Sequence, residues 1–240
     1  MYFQIIKKEF GYDFKKFKYF AGHSLGEYSA LACVGSISFE DTLRILQKRG
    51  KFMQDSVPSG EGAMLAVLGM ASKELDKILE MNNKKYECFI ANDNSNLQVV
   101  ISGLKKDISL LSEDLNNKKI KNLKLNVSAP FHCKYMKTAS EKMTGYINDL
   151  KMNNLEKPII SNVTAHEASS SKEIKLLLIS QIEKKVRWLE SVEYMINNGI
   201  KNFVEIGPGK VLSGLIKRIN KNVKVNSINN EEDIKLLIND

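Results

Sequence analysis

The sequence predicts an α/β protein: an α/β-hydrolase-like parallel sheet with an inserted ferredoxin-like subdomain. Three observations point there. A short apolar run, Tyr19-Phe20-Ala21, leads into Gly22-His23-Ser24-Leu25-Gly26 and then into a helix-like stretch from Glu27 to Cys33. Strand, G-x-S-x-G and helix in that order are the setting of a nucleophile elbow. Strand-like and helix-like segments alternate on both sides of residues 62–127, as in a parallel sheet with helical crossovers. Within 62–127 the order is β-α-β-β-α-β, the split-βαβ unit. The expected division is a core of 1–61 and 128–240 and a subdomain of 62–127.

Residues 1–17 read as the end of a helix and a Lys-rich connection, followed by a strand at 18–22, the elbow, and a helix to Val34. Only glycine is expected to fit beside a serine in so sharp a turn. Ser38 caps the next helix, with Asp41 three residues on, and that helix runs past Arg49 toward Met53. Val57-Pro58-Ser59-Gly60-Glu61-Gly62 is a hinge. Ala63–Leu68 is a strand and Ser72–Met81 a helix capped by Ser72. Cys88–Asn92 and Leu97–Ser102 are strands joined by the turn Asp93-Asn94-Ser95-Asn96. Asp107–Asn116 is helical and Asn122–Val127 a strand. Beyond Pro130 come a helix over 134–151, a strand at Pro158–Asn162, a loop at Ala168–Ser171, and helices at Ile174–Gln181 and Leu189–Asn197. Phe203–Ile206 is the last predicted strand, ending in Gly207-Pro208-Gly209 before a helix at Val211–Ile219.

The 240 residues, 43% of them hydrophobic, suffice for one substantial core. No window approaches the roughly 18 consecutive apolar residues of a membrane span, and no signal peptide is read. Met1-Tyr2-Phe3-Gln4 resembles the remnant of a cleavable tag, so a targeting segment is one reading of what precedes it. Cys33, Cys88 and Cys133 form no C-x-x-C pair, which argues against a metal site or disulfides and for a reducing compartment. The net charge of +8 favours an acidic partner through steering. No basic stripe interleaved with aromatics is present, so nucleic acid is not expected.

A serine hydroxyl needs a base. His23 adjoins Ser24 and is expected to point away from it, His166 sits in a polar loop, and Glu27 is read as facing away down the elbow helix. His132, in Val127-Ser128-Ala129-Pro130-Phe131-His132-Cys133 where the insert rejoins the core, is the expected base. No acidic residue stands out to orient it; Gln181 and Asn162 are neutral candidates. Arg49 reads either as a surface cation or as a bidentate clamp on a carboxylate, and spacing does not decide between them.

Six segments together resemble the malonyl-CoA:acyl-carrier-protein transacylases of fatty acid synthesis. They are Ala21–Tyr28, Gln47–Gly50, Gln98–Gly103, Ala129–Cys133, Val186–Trp188 and Glu205–Leu212, in the family's order over almost the whole chain. The resemblance implies roles: Ser24 as nucleophile, His132 as base, Gln181 as the residue that holds His132, the Leu25 backbone N–H as an oxyanion donor, and Arg49 as the carboxylate clamp. It also implies a substrate pocket near His23, Asn92, Phe131 and Asn162. Malonyl-CoA would be the substrate, with phosphopantetheine carried by an acidic acyl carrier protein, and no permanently bound cofactor or metal. By their proximity to these motifs, Lys134, Lys137, Lys184, Lys185, Lys210 and Arg218 are read as docking cations for the carrier protein. A monomer is expected, cytoplasmic, or plastid or mitochondrial if a targeting segment has been removed. The family's second oxyanion donor, a glutamine in Gly-Gln-Gly-Ser-Gln, has no counterpart in these residues. That absence supports one alternative, an inactive fragment; a second, an esterase of the α/β-hydrolase fold, shares G-x-S-x-G with this chain.

Overall fold

The computed structural model describes residues 2–238. The core begins with α1 (Tyr2–Lys8), a 3-10 turn at Phe14–Lys16, the short strand β1 (Phe20–Ala21), α2 (Leu25–Cys33) and α3 (Phe39–Gln54). The inserted unit is β2 (Gly62–Leu68), α4 (Ser72–Met81), β3 (Cys88–Ser95), β4 (Gln98–Leu104), α5 (Lys105–Asn117) and β5 (Asn122–Lys124). The chain then returns through a 3-10 turn at Lys134–Met136 to α6 (Lys137–Asp149), β6 (Ile159–Ile160), β7 (Glu167–Ala168), α7 (Ser171–Gln181) and α8 (Trp188–Asn197). It closes with β8 (Asn202–Ile206), α9 (Val211–Ile219), β9 (Lys224–Ile228) and α10 (Glu231–Ile238).

The inserted sheet is antiparallel in the order β3-β4-β2-β5, with α4 and α5 as its crossovers, which is the split-βαβ arrangement. In the core, β1 pairs parallel with β6, β7 adds antiparallel to β6, and β8 pairs parallel with β9. The strand β9, the edge strand β7 and the helix α10 were not read from the sequence; β7 is only two residues long and carries no periodicity. Among the described residues the core strands fall into a three-stranded and a two-stranded sheet.

Capping and apolar stripes account for the helices that hold the site. The Ser38 hydroxyl accepts from the Asp41 N–H at 3.0 Å, as the sequence implied. The buried stripe of α3 is Thr42, Ile45, Arg49 and Met53, so a guanidinium occupies a position that helical spacing reserves for the core. α2 buries Glu27, Tyr28, Ala30 and Leu31, and α7 buries Ile174, Leu178 and Gln181.

Two local expectations are corrected. Ala71, not Ser72, occupies the cap position of α4, because the Ser72 hydroxyl donates to Asp93 Oδ2 at 2.6 Å. Asp93–Ser95 of the predicted turn is instead the end of β3, reached through two register shifts, and the turn itself is confined to Asn96 and Leu97. Tertiary bonds override the turn preference there: Asp93 is held by Ser72, and Asn94 Oδ1 lies 2.8 Å from His23 Nε2. The same stretch fastens the insert to the core. The Asp93 N–H donates to the Val186 carbonyl at 2.9 Å, and the Val186 N–H to the Ala91 carbonyl at 2.8 Å.

Candidate active site

Ser24 ends the β1 loop and caps α2 with φ 51° and ψ −110°, a conformation rare for a non-glycine residue. The crowding that enforces the elbow is asymmetric. A Cβ on Gly22 would lie 2.0 Å from the Gly26 carbonyl oxygen, whereas one on Gly26 would meet nothing within 4 Å. Glycine is therefore required at Gly22, while sterics do not demand it at Gly26. Asn162 locks the turn: its Oδ1 accepts from the Ser24 N–H at 2.6 Å and its Nδ2 donates to the Gly22 carbonyl at 2.8 Å.

The Ser24 hydroxyl faces His132 Nε2 at 2.7 Å. His132 is 4% exposed, and its Nδ1 lies 2.8 Å from the backbone carbonyl of Gln181. A carbonyl can only accept, so Nδ1 carries the proton and Nε2 presents a lone pair to Ser24. Burial, reinforced by the Arg49 charge, lowers the imidazole to about 3, so the base is neutral. Of the two neutral orienters left open by the sequence, Gln181 takes the part, through its backbone. Asn162 holds the elbow instead.

Arg49 is 6% exposed and reaches the same hydroxyl: its Nη2 donates to Ser24 Oγ at 3.0 Å and to Gln181 Oε1 at 2.9 Å. This is a site cation, not the surface charge of the alternative reading. Gln181 Nε2 donates to the Ser24 carbonyl at 3.0 Å and to Glu27 Oε2 at 2.7 Å. Glu27 is 1% exposed and lies beneath the elbow, so the expectation that it faces away is corrected. One helical turn separates it from Leu31, and both belong to the buried stripe of α2; that spacing was the signal available in the sequence. Burial raises the Glu27 carboxyl to about 7, against the pull of its bonds to Gln181 and Asn162 and of the Arg49 charge.

The N–H groups around the elbow are mostly taken. Ser24 donates to Asn162, Gly26 to the His23 carbonyl at 2.9 Å, and Glu27 to the Ser24 carbonyl at 3.1 Å. Among the described residues the Leu25 N–H has no acceptor, at the positive end of α2 where an oxyanion is favoured. The four expected pocket residues separate. His23 is half-buried, bonded to Asn94 and packed 5.7 Å from the Trp188 ring. Phe131 adjoins His132 and packs on the core cluster of Tyr28 and Leu31. Asn92 sits on β3 beside Val186 with its Oδ1 buried and unpartnered. His166 is exposed, its Nδ1 2.7 Å from the Thr164 carbonyl, and takes no part. A groove of about 590 Å³ runs outward from His132 between α4, β3 and the 183–185 segment, with Lys134, Lys184 and Lys185 among its lining residues.

A serine with a neutral imidazole at its hydroxyl, a free N–H at a helix start and a cation at the same oxygen can form an acyl-serine on a substrate bearing a nearby anion. The comparisons with known proteins agree with that chemistry. The family described as the acyl transferase domain matches residues 15–234. A malonyl CoA-acyl carrier protein transacylase of Bacillus subtilis (strain 168) is 43% identical over 223 residues, spanning 91% of this chain and 69% of the relative. Its counterpart in Staphylococcus aureus (strain MRSA252) is 42% identical over 220 residues, 89% of this chain and 70% of the relative. Among solved structures, an acyl-carrier-protein S-malonyltransferase from Bartonella henselae matches with a TM-score of 0.94 at 38% identity, covering 99% of this chain and 76% of the other. A type II PKS acyl carrier protein in complex with its malonyl-transacylase matches with a TM-score of 0.93 at 34% identity, covering 99% and 77%. By sequence and by fold, this chain belongs to the acyl transferase family of the malonyl CoA-acyl carrier protein transacylases.

Proposed function

We infer that this chain transfers the malonyl group from malonyl-CoA to the phosphopantetheine thiol of an acyl carrier protein, through an acyl-serine. The observation that carries this reading is the convergence of a base and a guanidinium on one hydroxyl, His132 at 2.7 Å and Arg49 at 3.0 Å from Ser24 Oγ. In the first half-reaction His132 Nε2 takes the Ser24 proton while Oγ attacks the thioester carbonyl. The developing oxyanion turns to the Leu25 N–H. The carbon–sulfur bond then breaks, and the imidazolium returns its proton to the leaving thiolate of CoA. In the second, the carrier thiol gives its proton to His132 and attacks the acyl-serine, and Ser24 Oγ leaves with that proton. The malonyl carboxylate sits two bonds beyond the reacting carbonyl, within reach of a guanidinium already at Oγ, and planar Arg suits it as a paired-bond partner.

A backbone carbonyl, not a carboxylate, orients the base. That supports a serine less aggressive toward water and so transfer over hydrolysis. An esterase acting on neutral esters gives the buried Arg49 no substrate anion to bind, and the intact Ser24–His132 contact gives an inactive fragment no support. The partner in this reading is an acidic carrier protein, bound transiently by the cations around the groove, to a monomer. No cofactor is retained; CoA and phosphopantetheine arrive with the substrates. The division into a core of 1–61 and 128–240 and a subdomain of 62–127 is part of the same reading. Bacterial relatives favour the cytoplasm over a plastid or mitochondrion. The test is transfer of malonyl from malonyl-CoA to holo carrier protein. Transfer by the wild type and none by Ser24→Ala is expected; wild-type ester hydrolysis with no thiol acceptor product would overturn the reading.

A further inference from the structure

Four hydrogen bonds meet on one residue beneath the nucleophile. Gln181, fully buried, accepts from Arg49 Nη2 on its Oε1, donates from Nε2 to Glu27 Oε2 and to the Ser24 carbonyl, and accepts from His132 Nδ1 on its backbone oxygen. A side-chain amide can be turned either way, and the two ends are chemically opposite. With Nε2 toward Glu27, every contact pairs a donor with an acceptor. Turned over, Oε1 would face the Glu27 oxygen and the Ser24 carbonyl, and Nε2 would face the Arg49 Nη2. Two acceptor–acceptor contacts and one donor–donor contact would replace three good bonds, all in a buried site. Glu27 is the member of this set whose buried side chain meets Gln181 Nε2 with a carboxyl oxygen. Its Oε2 is itself aligned by the Asn162 N–H at 3.2 Å, so it is tied to the residue that locks the elbow.

We propose that Glu27 is a positioning residue that anchors the Gln181 amide, and through it holds Arg49 against the malonyl carboxylate. Glu27 touches neither the substrate nor the reacting atoms. The proposal rests on the malonyl-transfer reading, because its effect falls first on the Arg49 clamp. It requires an acceptor at position 27 and not a charge. Glu27→Gln therefore keeps the arrangement, its amide oxygen accepting from Gln181 Nε2. Glu27→Leu, of similar volume, removes one of the three contacts that hold the Gln181 amide and its tie to the Asn162 N–H, leaving the Ser24 carbonyl and Arg49 to hold it alone.

The experiment compares malonyl-CoA and acetyl-CoA as acyl donors to holo carrier protein, with kcat and KM measured separately. Wild type, Glu27→Gln, Glu27→Leu and Gln181→Met are compared, and circular dichroism melts report folding. For Glu27→Leu, loss of the aligned hydrogen bonds predicts about a tenfold fall in the malonyl-over-acetyl ratio, carried by a raised KM for malonyl-CoA. Gln181→Met is expected to reproduce that fall, and Glu27→Leu added to Gln181→Met to lower the ratio no further. Glu27→Gln is expected to keep the wild-type ratio. A folded Glu27→Leu protein with an unchanged ratio overturns the proposal, as does a Glu27→Gln protein that loses it. If Glu27→Leu does not fold, Glu27→Gln and Gln181→Met decide between the same two outcomes. Failure of the wild type to use malonyl-CoA at all would instead sink the reading on which the proposal rests.

Discussion

Gly22→Ala is predicted to break the elbow, while Gly26→Ala is predicted to spare it. The added Cβ at position 22 would sit 2.0 Å from the Gly26 carbonyl oxygen, 2.1 Å from its carbon and 2.7 Å from the Glu27 nitrogen. Ordinary contact begins near 3.4 Å, well over an ångström beyond the 2.0 Å to the carbonyl oxygen. All three obstacles are backbone, so no side chain can swing aside. The loop must open by more than an ångström or the substitution must strain it, at a cost on the order of 3 kcal/mol. For a chain of this length that lowers the midpoint of thermal unfolding by roughly 6–12 °C. Displacement of that size at Ser24 would also cost about 100-fold in the rate of acylation, since the reacting groups must hold near-attack geometry. Gly26 lies inside α2 with empty space at its Cβ position, so alanine there is expected to stabilise the helix by up to about 1 kcal/mol. Thermal melts and time-resolved intact-mass measurement of the acyl adduct read both effects. Gly22→Ala with a wild-type melt and rate, or Gly26→Ala as damaging as Gly22→Ala, would refute the reasoning.

Three further outcomes follow from the site. Arg49→Lys keeps a charge but loses the planar fork, so malonyl transfer is expected to fall about 100-fold while acetyl transfer survives or rises, measured as donor competition on carrier protein. His132 and Glu27 carry opposite pH signatures. The folded value of His132 lies below its unfolded 6.5, so its contribution to stability is present above 6.5 and lost as pH falls toward about 3. Glu27 is raised from 4.5 to about 7, so its contribution is present below 4.5 and lost as pH rises through 7. Relative to wild type, His132→Gln should gain stability as pH falls from 6.5 and Glu27→Gln as pH rises past 4.5, read from melts across pH; the reverse trends would contradict both assignments. Reversing the charge at Lys134, Lys184 and Lys185 should raise KM for the carrier protein with acylation by malonyl-CoA unchanged, and no change in KM would remove the groove from carrier docking.

The order and type of most elements were legible because capping, turn residues and apolar spacing act locally. Ser38 announces α3, and Gly207-Pro208-Gly209 marks the end of β8. The misreadings at Ser72 and at the end of β3 share one cause, polar side chains satisfied by distant partners. Asp93 and Asn94 look like a turn until Ser72 and His23 arrive to bond them. The short edge strand β7 gains its identity only from pairing with β6. In the site, Ser24 and His132 could be named from local motifs, but the underlying network could not. Its members share a signature visible only along helices: Glu27, Arg49 and Gln181 each fall on an apolar stripe where a core residue belongs. That signature was present in the helical spacing but went unread, and the burial of these groups came from the structure. Only the packing of three helices separated in sequence showed that they meet.

The most direct test is mass spectrometry of the intact protein mixed with malonyl-CoA and then with a pantetheine thiol. The account predicts a single malonyl adduct on Ser24, absent in Ser24→Ala and in His132→Ala at early times, stable in buffer and discharged as malonyl thioester when the thiol is added. An adduct on another residue, or one that water clears as fast as the thiol does, would contradict it.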